Sequence, residues 1–219
     1  MMYQCLLFDK NIYFSQGIKT ALLNSFEEGK DVFYSATDDY GYFLENLKKK
    51  VKDDCRMWVF CDLDSLPQER FRALNVIKDV YQHENKKLII VLSKHNMPLF
   101  STLYTLLPDA HWLLKSEEVK HIKSFFLGLF EKKGNESRFS FSLVNDTRNK
   151  LRSGDVNYTI SSHEWWLIEE LLKGKSLSEI SDEVGVNIRR LSYVKRLLMK
   201  RLNIKNNIAL FEVVKEIIP

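Results

Sequence analysis

Three basic side chains and one aromatic side chain recur at helical spacing near the C-terminus of this chain of 219 residues. Arg189, Tyr193, Arg196 and Lys200 follow one another at intervals of four, three and four residues, which places them on one stripe of a helix. Residues 188–205 hold seven Lys or Arg and no acidic residue, whereas the whole chain has a formal net charge of only +4. Such a stripe suits the phosphates and the major groove of duplex DNA, and a solvated helix face is the simpler alternative.

The residues around this stripe predict the scaffold that a DNA-reading helix requires. Ser161 or Ser162 caps a first helix, a short second helix ends at a turn around Gly185, and Asn187 is a suitable N-cap for the third helix. Helical spacing places five apolar residues of the third helix in the core: Ile188, Leu191, Val194, Leu198 and Leu202. We therefore expect a small all-α helix-turn-helix domain over residues 158–219.

The N-terminal part of the chain alternates between short apolar runs and segments of helical periodicity. The apolar runs occupy residues 3–8, 31–36, 57–61, 88–93 and 110–114. Short, continuously apolar strands are typical of a parallel sheet with helices on both faces. Residues 1–133 are thus predicted to form a doubly wound α/β domain with a parallel five-stranded sheet, and the polar residues 134–157 a linker.

Composition excludes several other classes of protein. The three cysteines lack CxxC spacing and lie in or beside apolar runs, which predicts buried thiols, with no disulfide and no structural zinc. The chain contains no stretch that approaches the roughly 18 apolar residues of a membrane span. We therefore expect a cytoplasmic protein that has no membrane partner and needs no cofactor.

Residues 160–204 resemble the LuxR/NarL-type helix-turn-helix. The resemblance depends on ten positions: Glu164, Leu171, Gly174, Glu179, Ile180, Val184, Val186, Leu191, Lys200 and Leu202. It implies sequence-specific binding of double-stranded DNA by a transcriptional regulator. It also implies that Ser192, Tyr193 and Arg196 read bases, because members of this family read bases from the exposed face of the third helix.

Four further cations of the third helix would make phosphate or supplementary contacts: Arg189, Arg190, Lys195 and Lys200. The chain departs from the usual Thr-Val-Lys-x-His run of the family at residues 190–194, so its operator sequence should differ. Asn203 stands where the family usually has Gly, a replacement that a left-handed helix terminus tolerates. Family members dimerise through a last helix, here residues 207–217, although its apolar side chains could equally belong to the core.

The order of the two domains resembles that of response regulators, which implies a flavodoxin-like, receiver-like α/β domain. In such a domain Asp62 would be the phosphoacceptor, Ser93 and Lys115 would contact the phosphoryl group, and Asp9 would be the first acidic residue of the metal site. Receivers carry a second acid where this chain has Lys10. That ammonium would repel Mg²⁺ from Asp9 and Asp62 and could itself pair with Asp62.

These features lead us to expect a regulator with an atypical receiver that acts without phosphorylation, as a homodimer or as a heterodimer with a related regulator. Two alternatives remain open: a phosphorylation-activated response regulator of a two-component system, and an antagonist that pairs with a related regulator without binding DNA. An enzyme is not expected, because the chain has no Gly-rich phosphate loop, no GxSxG motif and no HExxH motif.

Overall fold

The computed structural model describes residues 2–26, 31–81, 85–129, 138–153 and 159–217. The chain divides into two compact units, one of Met1–Lys94 with Leu107–Asn149 and the other of His95–Leu106 with Lys150–Pro219. The predicted domain limits near residues 133 and 158 lie outside the described residues. The domain boundaries therefore stay predictions.

The first unit contains a five-stranded sheet in the order β2-β1-β3-β4-β5, in which every neighbouring pair is parallel. The strands are β1 (Met2–Phe8), β2 (Val32–Thr37), β3 (Cys55–Asp62), β4 (Lys86–Leu92) and β5 (His111–Leu114). This order, with helical segments between successive strands, is the flavodoxin-like doubly wound arrangement. The predicted fold class of the N-terminal domain is confirmed.

Helices cover both faces of the sheet. They include α1 (Ile12–Leu23), α2 (Tyr40–Lys48), α3 (Arg70–Val80) and α5 (Val119–Leu129). On one face Cys5 and Leu7 pack in a cluster with residues of α1 and α5, and on the other Phe8 meets Phe43 of α2 with ring centroids 5.0 Å apart. Successive residues of β1 thus enter two different cores, which explains why the buried residues Cys5 to Phe8 are all apolar.

A short segment after α5 adds to the outer edge of the sheet. Phe139 forms a parallel bridge with Trp112 of β5, whose N–H donates to the carbonyl oxygen of Arg138 at 2.8 Å. Ser140 is almost fully buried, and its hydroxyl oxygen accepts a hydrogen bond from the N–H of Leu114 at 3.1 Å. Residues 138–140 therefore satisfy backbone groups that an open edge strand would expose.

The region predicted as a linker contains helix α6 (Phe141–Ser153). The carboxylate of Glu117, which is only 7% exposed, accepts hydrogen bonds from the N–H of Ser142 at 2.9 Å and from its hydroxyl at 2.6 Å. These bonds satisfy a donor in the first turn of α6. They hold the pKa of Glu117 below its usual value, although burial alone would raise it. The partner that stabilises this helix comes from before α5, so local composition does not reveal it.

The second unit is helical. After a 3-10 helix (Lys94–Leu99) and helix α4 (Phe100–Leu106), it contains α7 (Ser162–Leu172), α8 (Leu177–Val184), α9 (Ile188–Arg201) and α10 (Asn207–Ile217). Its core includes Leu167 and Leu171 of α7, Ile180 of α8 and Leu191 of α9. The predicted all-α helix-turn-helix is confirmed.

Candidate nucleic-acid interface and receiver-like site

Local side-chain chemistry fixes the turn between α8 and α9. Ser176 and Glu179 form a capping box at the start of α8, and Gly185 ends this helix with a φ of 66°. That left-handed conformation is strained for a residue with a Cβ atom. The Asn187 side chain then accepts a hydrogen bond from the N–H of Arg189 at 2.8 Å, as expected of the N-cap of α9. The helix α9 therefore begins at a defined residue, Ile188, directly after its N-cap.

The buried side of α9 follows the predicted pattern with one exception. Leu191, Leu198 and Leu202 are buried and Val194 is half-buried, but Ile188 is 43% exposed. The prediction that Ile188 faces the core is therefore wrong. Side chains of a helix point towards its N-terminus, so the first residue projects past the end of α9 rather than onto the helices beneath it.

The opposite side of α9 forms an exposed surface that we call the cationic face. It is made of the predicted DNA-contacting residues: Arg189, Arg190, Tyr193, Arg196 and Lys200 are exposed, and Ser192 and Lys195 are half-buried. Nε of Arg196 donates a long hydrogen bond of 3.4 Å to the carbonyl oxygen of Ser192. The structure brings all seven residues to one helix, and their contacts with DNA stay predictions.

Arg201 differs from the other cations of α9 because it has a buried partner. Its Nη2 atom lies 2.5 Å from Oε2 of Glu164, which is 6% exposed and also accepts hydrogen bonds from the N–H and the hydroxyl of Ser161. Burial opposes ionisation of Glu164, but the Ser161 hydrogen bonds and Arg201 hold its pKa below the usual value. Arg201 thus ties the end of α9 to the start of α7. Asn203 follows with a φ of 54°, the left-handed terminus that the sequence predicts.

In the first unit, the ends of three strands bring two carboxylates and one ammonium together. Lys115, just after β5, places Nζ 3.0 Å from Oδ1 of Asp62 at the end of β3. The same atom lies 3.2 Å from Oδ2 of Asp9, just after β1. The side chains of Asp9 and Asp62 are at most 1% exposed, and that of Lys115 is 20% exposed. The predicted convergence of Asp9, Asp62 and Lys115 is thus present in the structure.

Ser65 is a member of this cluster that the sequence did not indicate. Its hydroxyl donates to Oδ2 of Asp62 at 2.6 Å and accepts from the backbone N–H of Lys10 at 2.8 Å. A serine three residues beyond a strand end is too common to be recognised from sequence. Ser65 shares an open cleft of about 500 Å³ with Asp9, Asp62 and Lys115.

The structure shows the surroundings of two other predicted members of the receiver-like site, Ser93 and Lys10. The hydroxyl of Ser93 donates to Oδ2 of Asp64 at 2.6 Å, so in this structure it is bonded to Asp64. Lys10 is exposed, and the ammonium that pairs with Asp62 is that of Lys115. The cation next to Asp62 thus comes from a distant strand end and not from the residue after Asp9.

The charges of this cluster are strongly coupled. Burial, followed by the charge of Asp9, raises the pKa of Asp62, while Ser65 and Lys115 act in the opposite direction. Burial acts to lower the pKa of Lys115, but the charges of Asp62 and Asp9 outweigh it and raise that pKa. Asp62 and Asp9 therefore favour the charged form of Lys115.

Mg²⁺ takes several oxygen ligands at 2.0 to 2.1 Å, and the carboxylates that could supply them here, those of Asp9 and Asp62, both pair with Lys115. The Lys115 ammonium lies within ion-pair distance of both Asp9 and Asp62, and Lys10 stands where a receiver has its second acid. Within the described ranges, no group of three or more His, Cys, Asp or Glu side chains could hold a metal ion.

Over nearly its whole length the chain resembles solved structures of the response regulator RcsB. Two RcsB dimers bound to two parallel DNAs give a TM-score of 0.61 at 20% identity, with coverage of 98% of this chain and 99% of that chain. RcsB from Salmonella enterica serovar Typhimurium bound to promoter P1flhDC with the phosphomimetic BeF3- gives 0.59 at 19% identity, with coverage of 96% and 97%. The chain thus has a response-regulator-like fold.

No protein-family model matches the chain, and no curated protein matches it. Among the residues that the structure describes, no helix is both long and apolar enough to cross a membrane.

Proposed function

We propose that this protein is a sequence-specific, DNA-binding transcriptional regulator of the response-regulator type. The observation that carries the proposal is the cationic face on the third helix of a helix-turn-helix, where four cations and Tyr193 are exposed and Lys195 and Ser192 are half-buried. The scaffold beneath it is complete, because α7 and α8 supply the core on which α9 rests. Solved RcsB structures of the same fold are bound to DNA, which supports the same role here.

The cationic face contacts DNA in two ways under this proposal. Tyr193, Arg196 and Ser192 lie towards base edges in the major groove, whereas the remaining cations neutralise phosphates on either side. Arg201 is excluded from these contacts because its guanidinium pairs with buried Glu164.

The test is binding of purified full-length protein to fragments selected from genomic DNA, followed by fluorescence anisotropy. Arg196→Ala with Lys200→Ala should weaken binding to the selected fragment by at least tenfold, because each substitution removes a base or phosphate contact. Lys48→Ala with Lys50→Ala, exposed lysines in and just after α2, is the charge-matched control and should leave affinity unchanged. Equal losses in both double variants would contradict the proposal.

We further propose that DNA binding does not require phosphorylation of Asp62. Lys115 pairs with both Asp62 and Asp9, the two carboxylates that Mg²⁺ would need, and Lys10 stands where a receiver has its second acid. Beryllofluoride with Mg²⁺ should therefore leave DNA affinity and oligomeric state unchanged. A clear increase in affinity that Asp62→Asn abolishes would instead identify a phosphorylation-activated regulator.

We propose a dimer as the DNA-binding form, formed from two copies or with a related regulator. Solved RcsB dimers of the same fold bound to DNA support this form. Analytical ultracentrifugation with and without the selected fragment tests the homodimer. A monomer that binds the fragment with a single-site footprint would contradict it.

A further inference from the structure

Two large apolar side chains lie exposed at the start of the cationic face. Ile188 is 43% exposed and Tyr193 is 56% exposed. The core cluster of the helical unit includes Leu191 from the same helix, with Val194 packed against it, but not Ile188. These apolar groups are therefore available to a ligand of α9.

Ile188 and Tyr193 lie on either side of Arg189 around the helix. At 3.6 residues per turn, Ile188 is about 100° from Arg189 in one direction and Tyr193 about 40° in the other. Both residues belong to the first two turns of α9, which starts at Ile188. The N-terminal residues of a recognition helix are those that contact base edges in the major groove.

Phosphates and most base edges offer polar atoms, with which the hydrocarbon side chain of Ile188 forms no hydrogen bond. The apolar feature of the major groove is the C5 methyl group of thymine, which apolar and aromatic side chains contact. Removal of one methyl group from contact with water increases affinity by about fourfold. The two side chains thus match one chemical feature of the groove.

We infer that Ile188 and Tyr193 are specificity-determining residues that contact thymine methyl groups, so that the preferred sites carry T·A pairs opposite the first two turns of α9. The inference rests on the proposed DNA-binding function and names the feature of the base pairs that this face selects. Arg189, which lies between the two residues, contributes a cation at the same depth for a phosphate or a guanine edge.

The experiment replaces thymine with deoxyuracil, one position at a time, in the duplex that the wild-type protein selects. Uracil differs from thymine only by the missing methyl group, so charge and hydrogen bonding are preserved. We expect at least two positions at which the replacement weakens binding by about fourfold. Ile188→Ala should remove the response at one of these positions, and Tyr193→Ala should remove it at another, as a double-mutant cycle measures.

Leu197→Ala is the matched control. Leu197 is also 43% exposed on α9 but lies beyond the first two turns. In Leu197→Ala, replacement of each thymine by uracil should therefore weaken binding as much as it does in the wild-type protein. Circular dichroism of the three variants verifies that α9 remains folded. Loss of all thymine responses in Leu197→Ala would show a general loss of docking and would overturn the assignment.

The two proposals fail in different ways. If the wild-type protein binds no duplex even at low salt, the proposed function is wrong. If it binds tightly and no thymine replacement changes affinity, the function stands and the assignment of Ile188 and Tyr193 is overturned.

Discussion

Removal of the Lys115 ammonium should destabilise the first unit more than any other single change to its polar cluster. Lys115→Met keeps much of the side-chain volume but leaves Asp9 and Asp62 as two buried carboxylates without a counterion. Loss of one partner of a buried ion pair costs roughly 3–5 kcal/mol. For a unit of this size that corresponds to a fall in melting temperature on the order of 10 °C.

The cost of Lys115→Met should depend on pH in a definite direction. Burial raises the pKa of Asp62 above its ordinary 3.8, and Lys115 is one of the groups that restrain this rise. Without Lys115 the pKa of Asp62 in the folded state rises further, so ionisation of Asp62 at pH 7 lowers the free energy of unfolding. That penalty disappears as the pH falls through the folded pKa towards 3.8, because the folded state then holds its proton.

Hydrogen exchange of β1 and β3 amides in the full-length protein measures this effect in the first unit alone. Lys115→Met with Asp62→Asn should recover much of the lost stability at pH 7, because one buried charge is removed. Lys120→Met is the matched control, since the Lys120 ion pair with Glu118 lies at the surface and is worth little. Equal exchange in Lys115→Met and wild type at pH 7 would refute the reasoning.

Two other substitutions test contacts that hold the functional elements in place. Glu117→Gln weakens the acceptor of Ser142 and should accelerate exchange at residues 138–149 by an amount equivalent to roughly 1–3 kcal/mol, whereas Glu118→Gln should not. Arg201→Met leaves Glu164 buried and unpaired, and should cost the helical unit roughly 3 kcal/mol at pH 7. Without Arg201, burial raises the pKa of Glu164 in the folded variant, so the difference from wild type should shrink as the pH falls through that raised value and vanish below the lower wild-type value. A deficit in Arg201→Met that is independent of pH would contradict the ion-pair explanation.

The sequence predicted the elements whose pattern is continuous along the chain. Five apolar runs each became a strand of a parallel sheet, and the spacing of Leu191, Leu198 and Leu202 identified the buried side of α9. Asn187 and Asn203 were recognisable because N-caps and left-handed termini restrict residue type.

Contacts between distant segments were less accessible to prediction. Ser65 joins the receiver-like cluster through a loop with no distinctive composition, and α6 depends on Glu117, which lies before α5. Lys10 is adjacent to Asp9 in sequence, yet the cation that reaches Asp62 is Lys115. Ile188 has the spacing of the buried residues of α9, but it is the first residue of that helix. Its side chain projects past the helix end and is exposed.

The central claim is that the cationic face of α9 binds DNA through its phosphates and bases. Its most direct test is the slope of log K against log salt concentration for the selected duplex. If Lys195 and Lys200 each neutralise a phosphate, Lys195→Ala with Lys200→Ala should reduce the magnitude of the slope by about 2. An unchanged slope, or binding by the wild-type protein that does not depend on salt, would contradict the claim.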